Sequence, residues 1–280
     1  MSSTSPVQTV KVLKKIPQEK ALLAMRELET SLKSKHEKDV LVAMKTNELL
    51  RELRAPSIVT TGANLQIMKE IAKLHERPKE AGFPALIKFE AKDQDDPFDV
   101  RRVPPYDYQW VSGGGDGQYS ASANEHNGTI NLAAAAFNQN CYADGGVGIW
   151  FVPPRDMLIK FQPFIPYNYF WLDQANFVNA SSNAFFGIKV QVFNSEGTNV
   201  DDIDLRYGLW NDTAGWVDTH TSGNSWTGAT INEAPSVQTY SGFGYIFWTW
   251  FGVEAYNGWE CISESDIQAT VSSMIITSSD

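Results

Sequence analysis

The sequence predicts a mainly β protein, a jelly-roll-like antiparallel β-sandwich preceded by an α-helical segment at the N-terminus. Three observations support this. All nine tryptophans lie after residue 102. Short β-branched and aromatic runs in that part are separated by Gly, Asn, Asp and Ser turns. Helical periodicity is confined to the beginning of the chain. We therefore divide the 280 residues into a helical region (1–80), an extended connector (81–105) and a β-sandwich domain (106–280).

Charge follows the same division. Residues 1–102 hold 19 of the 23 Lys and Arg side chains and have a net charge of +4, whereas the remainder has a net charge of -14. The acidic part would repel phosphates, which excludes nucleic acid as its partner. The opposite signs favour docking of the helices on the sandwich or on a neighbouring copy.

A long amphipathic helix is predicted over residues 17–54. Pro17 suits the first helical position, and Pro56 ends the segment. The apolar positions are Leu22, Met25, Leu28, Leu32, Val40, Met44, Leu50 and Leu53. The middle of this row advances in steps of four, whereas a coiled coil alternates three and four. The pattern therefore indicates one helix packed on a partner surface.

A second, shorter helix is predicted over residues 63–76. Thr60 or Thr61 can cap its N-terminus, and Pro78 stops it. The segment that follows mixes proline, glycine and a cluster of aspartates. That composition is typical of an extended connector.

The β-region begins near Tyr106. Residues 118–124 and 129–137 flank an Asn-Gly turn signal and predict a hairpin. Residues 186–192 alternate apolar and polar side chains, as in a strand with one buried face. Residues 245–253 are aromatic on both faces, which indicates a central strand covered on both sides. Residues 267–276 predict a terminal strand.

The sequence lacks most of the motifs that would indicate an enzyme. The sequence contains neither His-Glu-x-x-His nor Cys-x-x-Cys, and the segment 240–244 lacks the first glycine of a nucleophile elbow. Cys141 and Cys261 are expected to be reduced, core-like thiols. Neither a secretory signal nor an apolar run of about 18 residues is found, so we expect no transmembrane segment. The default location is cytoplasmic, with export as part of an assembly left open.

An acidic cluster offers a candidate calcium site. Asp201, Asp202 and Asp204 supply oxygen ligands at high density. Their spacing matches no calcium loop, and Ile203 interrupts the set. The alternative is an acidic, solvated turn, and no other cofactor is expected.

Tryptophans beside polar turns form the candidate ligand-binding site. The residues are Trp210, Asn211, Asp212, Trp216, Trp226 and Trp259. An indole next to hydrogen-bonding groups suits stacking on sugar rings or capture of a partner side chain. In the alternative interpretation, these indoles seal the ends of the sandwich.

These features favour a non-enzymatic binding or structural protein, with an acidic β-sandwich for recognition and N-terminal helices for docking or assembly. The expected partner is another protein or further copies of the chain, with a glycan as a further possibility. Three alternatives remain open at this point. They are a lectin-like carbohydrate-binding module that uses the loop tryptophans, a glycoside hydrolase or lyase on a sandwich scaffold, and a membrane-active toxin.

Overall fold

The computed structural model describes residues 13–53, 99–175, 179–215, 218–222, 227–231, 234–258 and 261–278. Within them the chain forms an N-terminal helix and two antiparallel β-sheets, which confirms the predicted mainly β sandwich class. The predicted helix over 63–76 and most of the connector lie outside these residues.

The helix α1 spans Gln18–Leu53, close to the predicted 17–54. The strands are β1 (Asp99–Arg102), β2 (Tyr108–Gly115), β3 (Gln118–Asn124), β4 (Thr129–Phe137), β5 (Asn140–Phe151), β6 (Met157–Ala175), β7 (Ala180–Phe193), β8 (Asn199–Ala214), β9 (Asp218–Thr221), β10 (Thr227–Ile231), β11 (Ser236–Thr239), β12 (Gly244–Asn257), β13 (Ile262–Thr270) and β14 (Ser273–Ser278).

The two sheets pack face to face around the main core. The larger sheet has the order β1-β14-β6-β13-β4-β3, and β9, β10 and β11 also pair with the long strand β6. The smaller sheet has the order β2-β5-β12-β7-β8. Phe161 of the larger sheet stacks on Phe247 of the smaller one, with ring centroids 4.9 Å apart. Such contacts bury the inner faces of both sheets.

The predicted hairpin is confirmed by β3 and β4. Asn124 and Asn127 accept hydrogen bonds from the backbone N–H groups two residues later, at 2.9 and 3.0 Å. Gly128 closes the turn with a φ of 74°, a value that glycine adopts without steric cost. Local turn chemistry therefore sets the register of this pair.

The central strand is β12. Every residue from Gly244 to Asn257 is buried, and the strand pairs with β5 on one side and β7 on the other. Phe247 and Phe251 point into the main core, whereas Trp248 and Trp250 belong to a second cluster on the outer face. The prediction of a strand covered on both sides is confirmed.

Two boundaries differ from the predictions. The run 267–276 is divided between β13 and β14, because the N–H groups of Val271 and Ser272 bond to Gly128 and Phe164 carbonyls outside the strand ladders. The end of the predicted connector, Asp99–Arg102, is a strand that pairs with β14.

Glycines make room for the outer-face tryptophans. A Cβ at Gly148 would lie 2.9 Å from ring carbons of Trp248, and a Cβ at Gly187 would overlap the indole of Trp250. Each indole therefore lies across a glycine of a neighbouring strand, which brings the ring close to the sheet.

We expect Gly187→Ala to destabilise the fold by about 1–3 kcal/mol, because the added methyl overpacks the Trp250 site. The matched control is Gly208→Ala on the adjacent strand, where a Cβ meets nothing within 4 Å. Urea unfolding of both variants checks this. Equal stabilities of the two variants would contradict the proposed packing.

Candidate functional site

The outer face of the five-stranded sheet is covered by α1, and this covered face is the candidate docking site. The helix contributes Ala21, Met25, Leu28 and Leu32, and Ile16 adds to them just before the helix begins. The sheet contributes Tyr108, Trp110, Phe193, Ile246, Trp248 and Trp250. We name these sheet residues the aromatic face. The helical positions repeat at intervals of three and four residues, as expected for one face of an amphipathic helix. The partner surface predicted from sequence is therefore the chain's own sheet.

Polar contacts fix the position of the helix on the aromatic face. Trp110 Nε1 donates to Glu29 Oε1 at 2.6 Å, and the Tyr108 hydroxyl donates to the Ile16 carbonyl at 2.9 Å. Lys15 Nζ lies 2.7 Å from Asp107 Oδ1 just before the helix begins. These pairs join the basic N-terminal region to the acidic sandwich at defined atoms.

A buried acidic cluster lies on the same outer face, beyond the aromatic residues. Asp144, Asn183 and Glu254 are each at least nine-tenths buried, and we name them the acid pocket. Asn183 Nδ2 donates to Glu254 Oε2 at 3.4 Å, and Lys35 Nζ of the helix lies 3.9 Å from Glu254 Oε1. Asp144 Oδ2 and Asn183 Oδ1 have no hydrogen-bond partner among the described residues.

Burial decides the protonation of the acid pocket. Loss of water raises the pKa of Asp144 well above its ordinary value, and the Glu254 charge raises it further, whereas Arg206 and Lys35 oppose the shift. Asp144 is therefore held in its neutral form more readily than an exposed aspartate. The hydrolase alternative needs two carboxylates in an open cleft. This carboxylate pair lies beneath α1.

His36, near the middle of α1, also contacts the sheet. Its Nδ1 atom and the Tyr256 hydroxyl are hydrogen-bonded at 3.0 Å, and its ring centroid lies 4.5 Å from that of Tyr142. Further along, Leu41 and Met44 are 65% and 61% exposed, whereas Leu49 is buried. Among the described residues, no helix is long and apolar enough to span a membrane.

The predicted ligand-binding tryptophans are placed only in part. Trp210 lies in β8, half-buried, and stacks on Tyr169 with ring centroids 5.3 Å apart. One face of its indole is thus covered by the chain itself. Asn211 is exposed, whereas Trp216, Trp226 and Trp259 lie outside the described residues. Glycan binding by these tryptophans stays a prediction.

Asp212 joins a hydrogen-bonded network that the sequence did not reveal. Asp173 is fully buried, accepts from Ser182 at 2.7 Å and Ser263 at 2.9 Å, and also hydrogen-bonds the Asp212 carboxyl. His220 bonds Asp212 through Nδ1 at 2.9 Å.

The pKa of Asp173 is raised to about 7, because burial and the nearby Asp212 carboxyl outweigh the opposing effect of the two serine hydroxyls. The hydrogen bond that the His220 ring donates to the Asp212 carboxylate raises the pKa of His220. The network therefore holds protons that an unfolded chain would release between about pH 4 and pH 7.

The candidate calcium ligands do not converge in the structure. They belong to β8, where successive residues point to opposite faces, so Asp201 faces away from Asp202 and Asp204. Asp202 accepts from Lys189 Nζ at 2.7 Å and from Asn199 Nδ2 at 3.0 Å. Among the described residues, no group of three or more His, Cys, Asp and Glu side chains could hold a metal ion. Calcium binding stays a prediction without a formed ligand set.

Cys141 and Cys261 are both buried, and no disulfide joins them. Burial raises the pKa of the Cys141 thiol to about 11, which keeps it protonated. This state fits the expected core-like thiols.

No family model and no curated protein matches the chain. Among solved structures, it is similar to tailspike protein 4 of bacteriophage CBA120 (12% identity, 65% of this chain, 19% of that chain, TM-score 0.24). It is also similar to VP2 of infectious bursal disease virus, with 10% identity over 72% of this chain and 40% of that chain and a TM-score of 0.22. A third similar structure is the C-terminal family 22 carbohydrate-binding module of Clostridium thermocellum Xyn10B, with 16% identity over 58% of this chain and 85% of that chain and a TM-score of 0.16.

The chain spans less than half of the tailspike and VP2 chains. Structural similarities at these TM-scores support no inference about function. A proposal about function must therefore be argued from the side chains described above.

We expect Lys35→Glu to loosen the docking of α1, because it places a carboxylate beside Glu254 in a poorly hydrated site. Lys33→Glu is the matched control, since Lys33 is exposed on the same helix. Amide hydrogen exchange over residues 18–36 checks this. Equal exchange in the two variants would show that the Lys35–Glu254 pair does not hold the helix.

We expect the stability of the protein to fall as the pH rises from about 4 to about 7, because the folded state binds the Asp173 proton more tightly than the unfolded state does. Asp173→Asn should flatten this dependence, whereas Asp116→Asn, at an exposed position, should leave it unchanged. Urea unfolding at several pH values provides the measurement. Parallel pH profiles for the wild type and Asp173→Asn would refute the assignment.

Proposed function

We propose that the protein is a non-enzymatic binding or structural protein, in which α1 both covers its own sandwich and joins a second copy of the chain. The observation that carries this proposal is the length of α1 relative to the surface it covers. The helix has 36 residues, which corresponds to about 54 Å. The contacts with the aromatic face and the acid pocket described above come from the first half of the helix, as far as Lys35, and from Lys15 and Ile16 just before it.

The second half of α1 carries the features of an association surface. Leu41 and Met44 lie three residues apart, on the same side of the helix, and both are exposed. Residues 37–53 also mix four acidic with three basic side chains. A segment with both signs of charge is self-complementary, as a two-fold contact between identical chains requires. A second copy is therefore the partner that this surface fits.

The packing of the first half of α1 on the sandwich also supports a second copy as the partner of the second half. The aromatic face and the acid pocket hold residues 15–36 on the sandwich through apolar packing and polar pairs. The second half is thereby presented at a defined place, which reduces the entropy lost on association.

The double substitution Leu41→Lys with Met44→Lys should weaken self-association of the full chain by roughly tenfold or more, because it puts two charges in an apolar contact. Leu23→Lys serves as the control, since Leu23 is 58% exposed on the first half of the same helix. Sedimentation velocity over a range of concentrations measures the change. A full chain that stays monomeric throughout, or equal association in all variants, would overturn the proposal.

A further inference from the structure

The outer face of the nine-stranded sheet carries a row of uncharged polar side chains. Ser122 of β3 lies opposite Asn131 of β4, which lies opposite Gln268 of β13, which in turn lies opposite Asn168 of β6. All four side chains are exposed. We name them the amide row. It lies on the side of the sandwich away from α1.

A groove runs beside the amide row. It has a volume of about 510 Å³, and Asn131, Asn168 and Gln268 line it together with Thr129 and Thr270. The lining thus combines hydroxyl and carboxamide groups, each of which both donates and accepts hydrogen bonds. Sugar hydroxyl groups have the same dual capacity.

The spacing of the amide row suits a repeating ligand. Neighbouring strands lie about 4.8 Å apart, so the row from Ser122 to Asn168 extends over about 14 Å. One strand spacing is close to the length of one sugar unit in an extended glycan chain. A chain lying across the strands can therefore present a hydroxyl group to each strand in turn.

The next row supplies an aromatic ring and acidic groups. Asp266 lies opposite Phe170, and Glu264 follows two positions along β13, all on the outer face. The half-buried Phe170 offers an apolar ring to the hydrophobic face of a sugar. The carboxyl groups of Glu264 and Asp266 can bond hydroxyl groups. Burial and the neighbouring Glu264 raise the pKa of Asp266 to about 7, so its repulsion of anionic polymers increases as the pH rises through 7.

We propose that the outer face of the nine-stranded sheet binds an extended, uncharged glycan chain that lies across the strands along the amide row. This site is separate from the α1 surface. Its ligand is selected by matched hydrogen-bonding groups, by the aromatic ring and by the exclusion of polyanions.

The full chain is titrated by calorimetry with four neutral hexasaccharides: cellohexaose, xylohexaose, mannohexaose and chitohexaose. Polygalacturonate is the anionic probe. We expect at least one neutral hexasaccharide to bind and polygalacturonate not to bind. The pair Asn168→Ala with Gln268→Ala should weaken binding by about tenfold or more, since each removed hydrogen bond contributes about 1 kcal/mol.

Gln139→Ala is the matched control, because Gln139 is an exposed amide between β4 and β5, outside the groove lining. Gln268→Glu provides a second variant at an exposed position, and it should also weaken binding without loss of folding. The proposal is overturned if none of the four hexasaccharides binds, if both amide-row variants bind as the wild type does, or if polygalacturonate binds as tightly as the neutral chains.

Discussion

Both faces of strand β12 are apolar, and the rest of the structure depends on keeping both of them from water. The inner face is buried between the two sheets, as in any sandwich. Among the described residues, the outer face, with Trp248 and Trp250, packs against α1 and the residues just before it. The molecule is therefore built in three layers. The positions of the glycines beneath the indoles and the spacing of the apolar residues in α1 both follow from that requirement.

The division of charge along the chain acquires a physical meaning at the interface between α1 and the sheet. Lys15 pairs with Asp107 at one end of the contact, and Lys35 approaches Glu254 at the other. Between these two pairs the contact is mainly apolar, and the hydrogen bond from Trp110 Nε1 to Glu29 Oε1 adds a polar contact. Because ion pairs contribute little at exposed positions, apolar packing provides most of the affinity of the helix for the sheet, and the charged pairs set its direction.

Residues that are close in sequence made much of this fold predictable. The Asn-Gly turn set the β3–β4 hairpin, prolines bounded α1, and aromatic side chains on both faces identified β12 as central. Periodicity defines the apolar face of a helix but carries no information about the surface that it contacts. The sequence therefore left open whether α1 docks on its own sheet or on another chain.

The chemically distinctive groups were harder to predict, because they come together only through strand pairing. Asp173, Asp212 and His220 come together from three different strands, β6, β8 and β9. Asp144 and Glu254 lie on the paired strands β5 and β12. Trp210 looked like a loop residue beside a polar turn, but the strand that contains it places the ring against Tyr169. The break between β13 and β14 was hidden in a continuous β-branched run, since it depends on carbonyl groups from distant residues.

The position of α1 before all the strands has a consequence for biosynthesis. A ribosome completes this helix before it makes any part of the sheet that the helix covers, and the central strand β12 comes late in the chain. An aromatic sheet surface that is transiently exposed during folding is prone to aggregation. Because α1 is synthesised before the strands, it can cover the tryptophans of β12 as soon as the five-stranded sheet forms.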